Sequence, residues 1–208
     1  FTVSLFRRGL PTPQICLGDN LLTDPFVVDL VKMNKAVTVK RSLPPRELLR
    51  WSYVLSSHIR KVITERKDSV WIAQNEGRSK DGSDITHPGV IKMLALAGEG
   101  SLIDSLRALH IIPITISYEY DPCDVEKATE LHSKEKQGSY QKKAGEDLAA
   151  GVRGIREPKG GVHIQVGSEI NDLLVEAEAF PLKSEQVHFI TKGVDARIQG
   201  QYKNWPSN

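Results

Sequence analysis

The fold of this chain is decided by residues 71–82, which read Trp71-Ile72-Ala73-Gln74-Asn75-Glu76-Gly77-Arg78-Ser79-Lys80-Asp81-Gly82. The apolar run from Ser69 to Ala73 predicts a buried strand that stops in a polar loop. Pro88 then opens an apolar-periodic segment, which predicts a helix with proline in its first turn. A strand, a charged loop and a helix in this order are typical of an anion site at the carboxyl edge of an α/β sheet.

Outward from this stretch, strand patterns alternate with helical patterns along the chain. This alternation predicts an α/β fold with a mainly parallel central sheet flanked by helices, in a single domain that covers residues 1–208. Strands are predicted at residues 14–17, 36–41, 69–73, 110–118 and 161–167. Helices are predicted at residues 1–10, 24–33, 44–66, 88–97, 101–109, 119–136, 139–155 and 184–202.

Composition limits the classes of function. Of the 208 residues, 39% are apolar and 26% are charged, which is enough to bury a core. The net charge of +2 gives no support for non-specific nucleic-acid binding. Cys16 and Cys123 are too few for a disulfide framework or a zinc cluster, and we expect two free buried thiols. No apolar run approaches the roughly 18 residues that span a bilayer.

Charged side chains follow two of the predicted strands. Lys40 and Arg41 end one strand, and Glu76 and Arg78 follow the next. If these two strands are neighbours with the same direction, their carboxyl ends share one edge of the sheet, so these groups converge. A cation within about 4 Å of a phosphate gains roughly 4 kcal/mol at an effective dielectric near 20, before desolvation. The spacing fits a small phosphorylated substrate and a solvated rim of ordinary ion pairs equally well.

The other residues of the loop have narrower roles. Arg78 favours the ionised form of Glu76, so this carboxylate is better suited to orienting donors than to carrying protons. Ser79 either donates a hydrogen bond to a phosphate oxygen or caps the turn. Gly77 allows the backbone to approach a ligand closely.

The six histidines supply no obvious catalytic base. None is followed five residues later by an aspartate. His87 and His110 lie nearest the loop in sequence, and either could line the site. His163 lies in an alternating strand and is expected to face solvent.

The loop resembles a motif of a known family. Asn75-Glu76-Gly77-Arg78-Ser79 resembles the Glu-Gly-x-Arg-Ser motif of the glycerolipid acyltransferases, the superfamily of glycerol-3-phosphate and lysophosphatidate acyltransferases, with one residue fewer between glycine and arginine. Val37-Thr38-Val39-Lys40-Arg41 resembles the family's second block, which ends in a substrate-binding arginine. Residues 111–116, running into Ser117-Tyr118-Glu119-Tyr120, are similar to the fourth block. Residues 161–167 are similar to the strand that follows.

The resemblance implies a glycerol-3-phosphate acyltransferase-like fold and an O-acyltransferase activity. A fatty acyl group would pass from an acyl thioester, acyl-CoA or acyl-ACP, to a hydroxyl of glycerol 3-phosphate or lysophosphatidate in phospholipid synthesis. The acyl donor is a co-substrate, and no cofactor or metal is implied. The residues implied to bind the acceptor are Lys40, Arg41, Glu76, Gly77, Arg78 and Ser79.

The resemblance places the family's catalytic His-x-x-x-x-Asp block before Phe1. Either the chain starts after the catalytic histidine, or it is a catalytically inactive relative that binds phosphate or lipid. An unrelated α/β phosphotransfer enzyme is a third hypothesis.

Enzymes of this family act at membranes, so the resemblance implies a cytoplasmic protein, peripheral at the inner membrane surface. The predicted helix of residues 44–66 carries Arg46, Arg50, Arg60 and Lys61. This basic face either contacts anionic lipid or is solvated.

Overall fold

The structure is a computed structural model that describes residues 1–22, 25–40, 43–75, 80, 82, 85–141, 143 and 145–206. It has an α/β architecture with a small parallel sheet flanked by helices. This confirms the fold class predicted from the alternation of strands and helices.

The parallel sheet contains β1 (Gln14–Gly18), β2 (Ala36–Val39) and β3 (Val70–Trp71). Its strand order is β2-β1-β3, and β1 is parallel to both neighbours. The carboxyl ends of β2 and β3 therefore lie at the same edge of the sheet, but the two strands are not neighbours as the prediction required, because β1 lies between them. In the register, Cys16 lies opposite Val37 and Ile15 lies opposite Trp71.

The remaining strands form a separate sheet. β4 (Ile114–Tyr118) pairs antiparallel with β5 (Val162–Val166). The prediction that the fourth strand joins a mainly parallel sheet is therefore wrong. The strand buries Thr115 and Ser117 rather than its isoleucines, and the Thr115 hydroxyl donates to the carbonyl of Ile198, 3.2 Å away. This polar face packs against the last helix of the chain, which takes β4 away from the first sheet. On β5, His163 is half-buried rather than facing solvent.

Local signals in the sequence explain most helix boundaries. Pro45 and Pro88 begin their helices at the first positions, and Ser101 caps the next helix by a capping box with Asp104. A helix at residues 171–177 lies outside the predicted elements. The helices are α1 (Thr2–Arg7), α2 (Pro25–Met33), α3 (Pro45–Thr64), α4 (Pro88–Ala95), α5 (Leu102–Arg107), α6 (Asp124–Gln137), α7 (Glu146–Arg156), α8 (Asn171–Ala177) and α9 (Lys183–Gly200), with a 3-10 turn at Asp19–Leu21.

The hydrophobic core lies mainly between helices. Buried side chains from α3, α4, α5, α8 and α9 form it, and the parallel sheet packs against one side through Cys16 and Val70. Ser56 joins α3 to α4, because its hydroxyl donates to the carbonyl of Leu94 at 3.2 Å and accepts from the amide of Ala97 at 3.0 Å. The core thus holds α3 and α4 in fixed positions over the sheet, where a cavity is left between them.

Candidate functional site

The cavity has a volume of about 450 Å³ and lies between the parallel sheet, α3 and the start of α4. Successive side chains of a strand face opposite ways, so alternate residues share one face. Cys16 and Gly18 of β1 line the cavity at this spacing, and β2 contributes the consecutive residues Val37, Thr38 and Val39. Gly18 has no side chain, which helps to leave the space empty.

One long helix forms most of the opposite wall. Trp51, Leu55 and His58 of α3 line the cavity and are spaced four and three residues apart, so they share one face of the helix. Val90 and Met93 of α4 complete the apolar wall. The cavity is therefore lined mainly by apolar groups, which suits a hydrocarbon chain.

The polar part of the lining follows the carboxyl ends of the strands. Lys40 comes directly after β2, and Asn75 follows β3. The ammonium group of Lys40 lies 3.5 Å from the Asp19 carboxylate, and its side chain is 39% exposed. Among the described residues that line the cavity, Lys40 is the only lysine or arginine.

The two ends of the loop from β3 to α4 are held together beside the cavity. The amide of His87 donates to the carbonyl of Gln74 at 2.9 Å, and the side-chain amide of Asn75 donates to the carbonyl of Ile85 at 3.0 Å. Asn75 and His87 both line the cavity. The described ends of this loop therefore lie together beside the polar part of the lining.

Most of the predicted acceptor-binding residues lie outside the described part of the chain. These are Arg41, Glu76, Gly77, Arg78 and Ser79. Of the six predicted residues the structure places Lys40, and it places it in the lining of the cavity. The convergence of Arg41 and Arg78 stays a prediction.

The histidines fall into two groups. His87 lines the cavity and caps α4, where its Nδ1 accepts from the amide of Gly89 at 3.0 Å. His110 instead has a left-handed backbone, and its Nδ1 lies 2.9 Å from a carboxylate oxygen of Glu169, away from the residues that line the cavity. Of these two histidines, His87 is thus among the described residues that line the cavity and His110 is not.

His58 is a cavity residue that the sequence analysis did not single out. Its Nε2 lies 2.9 Å from the side-chain oxygen of Gln14. The available signal was its spacing of seven residues from Trp51, which puts both on one helix face. An amide orients this ring, and an amide carries no charge that would stabilise an imidazolium ion.

The basic face predicted for α3 is smaller than its sequence indicates. The Arg60 guanidinium turns inward and donates to the carbonyl of Ser105 at 2.6 Å. Arg46, Arg50 and Lys61 remain exposed. The first half of the helix also exposes apolar and aromatic side chains, namely Leu48, Leu49, Trp51, Tyr53 and Val54.

Cys16 offers a direct test of the cavity. Burial raises the pKa of its thiol to about 12. Because only the thiolate is alkylated, its reaction with iodoacetamide should still rise about tenfold per pH unit between pH 8 and pH 10, where an ordinary thiol levels off. Mass spectrometry of the peptide that contains Cys16 measures this rate. A rate that levels off near pH 9 would contradict the burial of this thiol.

Among the described residues, none of the helices has the length and apolar character of a membrane span. No group of three or more histidine, cysteine, aspartate or glutamate side chains there is arranged to hold a metal ion. Comparison of the chain with models of protein families and with curated proteins gives no match in either case.

Proposed function

We propose that this protein is an O-acyltransferase with a glycerol-3-phosphate acyltransferase-like fold over residues 1–208. It transfers a fatty acyl group from acyl-CoA or acyl-ACP to a hydroxyl of glycerol 3-phosphate or lysophosphatidate, in phospholipid synthesis. One observation carries the proposal. A mainly apolar cavity has Lys40 in its lining and receives both ends of the loop that contains Glu76, Gly77, Arg78 and Ser79.

The chemistry of the cavity fits both halves of the substrate pair. Its volume of about 450 Å³ is typical of small-molecule sites. The apolar walls from α3 and α4 favour an acyl chain, since each buried methylene gains about 0.8 kcal/mol. The cations predicted at the strand ends favour the phosphate of the acceptor.

Each predicted residue then has a role in holding the acceptor. Lys40, Arg41 and Arg78 bind its phosphate, and Glu76 braces the arginines or binds an acceptor hydroxyl. Ser79 adds a hydrogen bond, and Gly77 allows close approach of the backbone. Fixed contacts of this kind hold the attacking hydroxyl in line with the thioester.

The reaction also needs a general base. The acceptor oxygen attacks the thioester carbon, the carbon–sulfur bond breaks, and the hydroxyl proton passes through the base to the leaving thiolate. The family resemblance assigns the base to a histidine of a His-x-x-x-x-Asp block, a pattern that residues 1–208 do not contain. His58 is oriented by Gln14 rather than by a carboxylate, so it is not our candidate.

Enzymes of the family that this chain resembles act at membranes, so we place the protein in the cytoplasm, peripheral at the inner membrane surface. The exposed apolar side chains of α3 support this, because Leu48, Trp51 and Val54 also line the cavity. Arg46 and Arg50 on the same part of the helix favour anionic lipid. The partners are thus the acyl donor, the glycerol phosphate and the lipid surface, with no nucleic acid.

A second candidate function is a non-catalytic phosphate- or lipid-binding relative. The observation that favours it is that the cavity histidines of the described chain have non-acidic partners: His58 contacts Gln14 and His87 caps α4. Such a protein would keep the cavity and the cations without the base.

One assay separates the candidates. The protein as encoded, with any residues that precede Phe1, is incubated in anionic vesicles with labelled acyl-CoA or acyl-ACP and with glycerol 3-phosphate or lysophosphatidate. Formation of an acylated product supports the acyltransferase. Binding of glycerol 3-phosphate by calorimetry without any product supports the binding relative. If neither occurs, or if nucleotides bind instead, both candidates are wrong.

A further inference from the structure

The inference starts from the orientation of α7, which turns its large apolar side chains away from the rest of the protein. Leu148, Val152 and Ile155 are all exposed, and Ile155 is 82% exposed. Their spacing of four and three residues puts them on one side of the helix. A helix on the surface of a globular protein normally buries such residues against the core. We call these three residues the α7 stripe.

The opposite side of α7 holds the helix to α6. Ala150 is buried there, and its carbonyl accepts a hydrogen bond from the thiol of Cys123 at 3.4 Å. The guanidinium of Arg153 lies 2.7 Å from the carboxylate of Glu126 in α6. With 3.6 residues per turn, Ala150 and Arg153 lie roughly opposite the α7 stripe. The helix is therefore attached through a small residue and an ion pair, while its three largest apolar side chains face away.

The surroundings of the α7 stripe are open. Gly151 lies on the same side of the helix, and Gly154 follows one turn later. Outside the helix, no described atom lies within 4 Å of the position that a methyl group on either glycine would take. Glycine is also a poor helix former, so α7 is weakly supported by its own sequence. A surface that takes up the stripe would therefore also stabilise the helix.

The size of α7 limits what can cover the stripe. Its 11 residues rise about 16 Å, and a helix is about 10 Å wide, so one side offers a footprint of roughly 160 Å². A stable interface between two proteins buries about 800 Å² on each partner. The α7 stripe alone is therefore too small to hold a second copy of the chain. A short amphipathic helix can still lie in the surface of a lipid bilayer, which takes up its apolar side chains.

Charge indicates which kind of lipid surface fits. From Leu148 to Lys159 the sequence carries three basic residues and one acid. The two remaining acids of α7 lie in its first turn, at the opposite end from Ile155. An apolar stripe beside an excess of positive charge is typical of helices that bind anionic bilayers.

We propose that α7 is a membrane-docking helix, which inserts Leu148, Val152 and Ile155 into the surface of an anionic phospholipid bilayer. The attraction to the lipid headgroups is summed over the basic residues of this segment and depends on no single one of them. The inference rests on the proposed function in one respect, because that function places the protein at a membrane. It deepens that function by naming a contact in a different part of the chain from α3, and this contact can be measured without acyl transfer.

The experiment measures the binding of the protein as encoded to sedimented vesicles. One set of vesicles contains equal parts of phosphatidylglycerol and phosphatidylcholine, and the other contains phosphatidylcholine alone. Val152→Gln and Ile155→Gln should each weaken binding to the anionic vesicles about tenfold, because the burial of one apolar side chain is lost. The double variant should bind more weakly than either single variant. Val175→Gln changes an exposed valine of α8 and is the matched control, which should stay within about twofold of wild type.

Hydrogen exchange locates the contact in the chain. When anionic vesicles are added to wild type, exchange of residues 146–156 should slow, while exchange in the core helix α5 is unchanged. The substituted side chains are exposed, so the circular dichroism of each variant should match that of wild type. If a variant nevertheless fails to fold, the exchange of wild type with and without vesicles carries the test.

The outcomes separate this inference from the proposed function. If the double variant binds anionic vesicles as wild type does, or if exchange in α7 does not slow, the inference is wrong. Equal binding of wild type to both kinds of vesicle overturns the choice of an anionic surface. If light scattering shows a lipid-free dimer that the double variant loses, a second copy covers the stripe and the inference is wrong. If vesicle binding depends on the stripe but no acyl transfer occurs, the proposed function alone is overturned.

Discussion

Replacing Arg78 with alanine is expected to raise the acceptor KM about 10- to 100-fold, because a charge-assisted hydrogen bond to phosphate contributes roughly 1.5–3 kcal/mol. The acyl donor KM should stay within about twofold of wild type, because the described apolar lining of the cavity comes mainly from α3, α4 and the sheet. The measurement is steady-state acyl transfer with the acceptor varied at saturating donor. Where wild type binds without turnover, calorimetry with glycerol 3-phosphate measures the same loss as a weaker dissociation constant.

Two controls make this result specific. Arg156→Ala removes an exposed arginine of α7 that is not among the residues lining the cavity, and should leave both KM values unchanged. Arg78→Lys keeps the charge and loses the planar fork, so it should recover only part of the affinity. If the acceptor KM of Arg78→Ala equals that of wild type, Arg78 does not bind the acceptor phosphate.

The second large effect is expected on stability. Leu106→Ala should lower the free energy of unfolding by about 2–5 kcal/mol, because it removes a fully buried side chain and leaves a cavity. Leu106 has no exposed surface and lies in the core between α5 and its neighbouring helices. Chemical denaturation followed by circular dichroism measures the change in midpoint.

The matched control is Leu49→Ala. Leu49 lies in α3 and is 62% exposed, so the same substitution should cost less than about 1 kcal/mol. If Leu106→Ala lowers the free energy of unfolding by less than about 1 kcal/mol, the Leu106 side chain is not packed in the core as the structure has it. A large loss in Leu49→Ala would mean that the exposed face of α3 is covered in solution.

Some residues of the candidate site could be predicted from the sequence, and others could not. The strand-loop-helix order predicted a polar edge, and Lys40 and Asn75 are found there beside the ends of β2 and β3. The apolar cavity itself was not foreseen, because its lining comes from two strands and one helix face that meet only in space. His58 belongs to that lining, and a single histidine in a long helix carries no sign of its partner, Gln14, which lies 44 residues earlier in the chain.

The amino-acid sequence by itself determined the local elements. Proline at the first positions of α3 and α4, the capping box of Ser101 and Asp104, and the β-branched runs of β2 and β5 act within a few residues of themselves. The tertiary structure decided how the strands are shared between two sheets, because Thr115 and Ser117 turn β4 toward the end of the chain. It also decided which charges are buried. Glu130 looks like any surface glutamate of a polar helix until Lys80, 50 residues away, completes its pairing. A contact between residues so far apart in the chain leaves no local sequence pattern that would predict it.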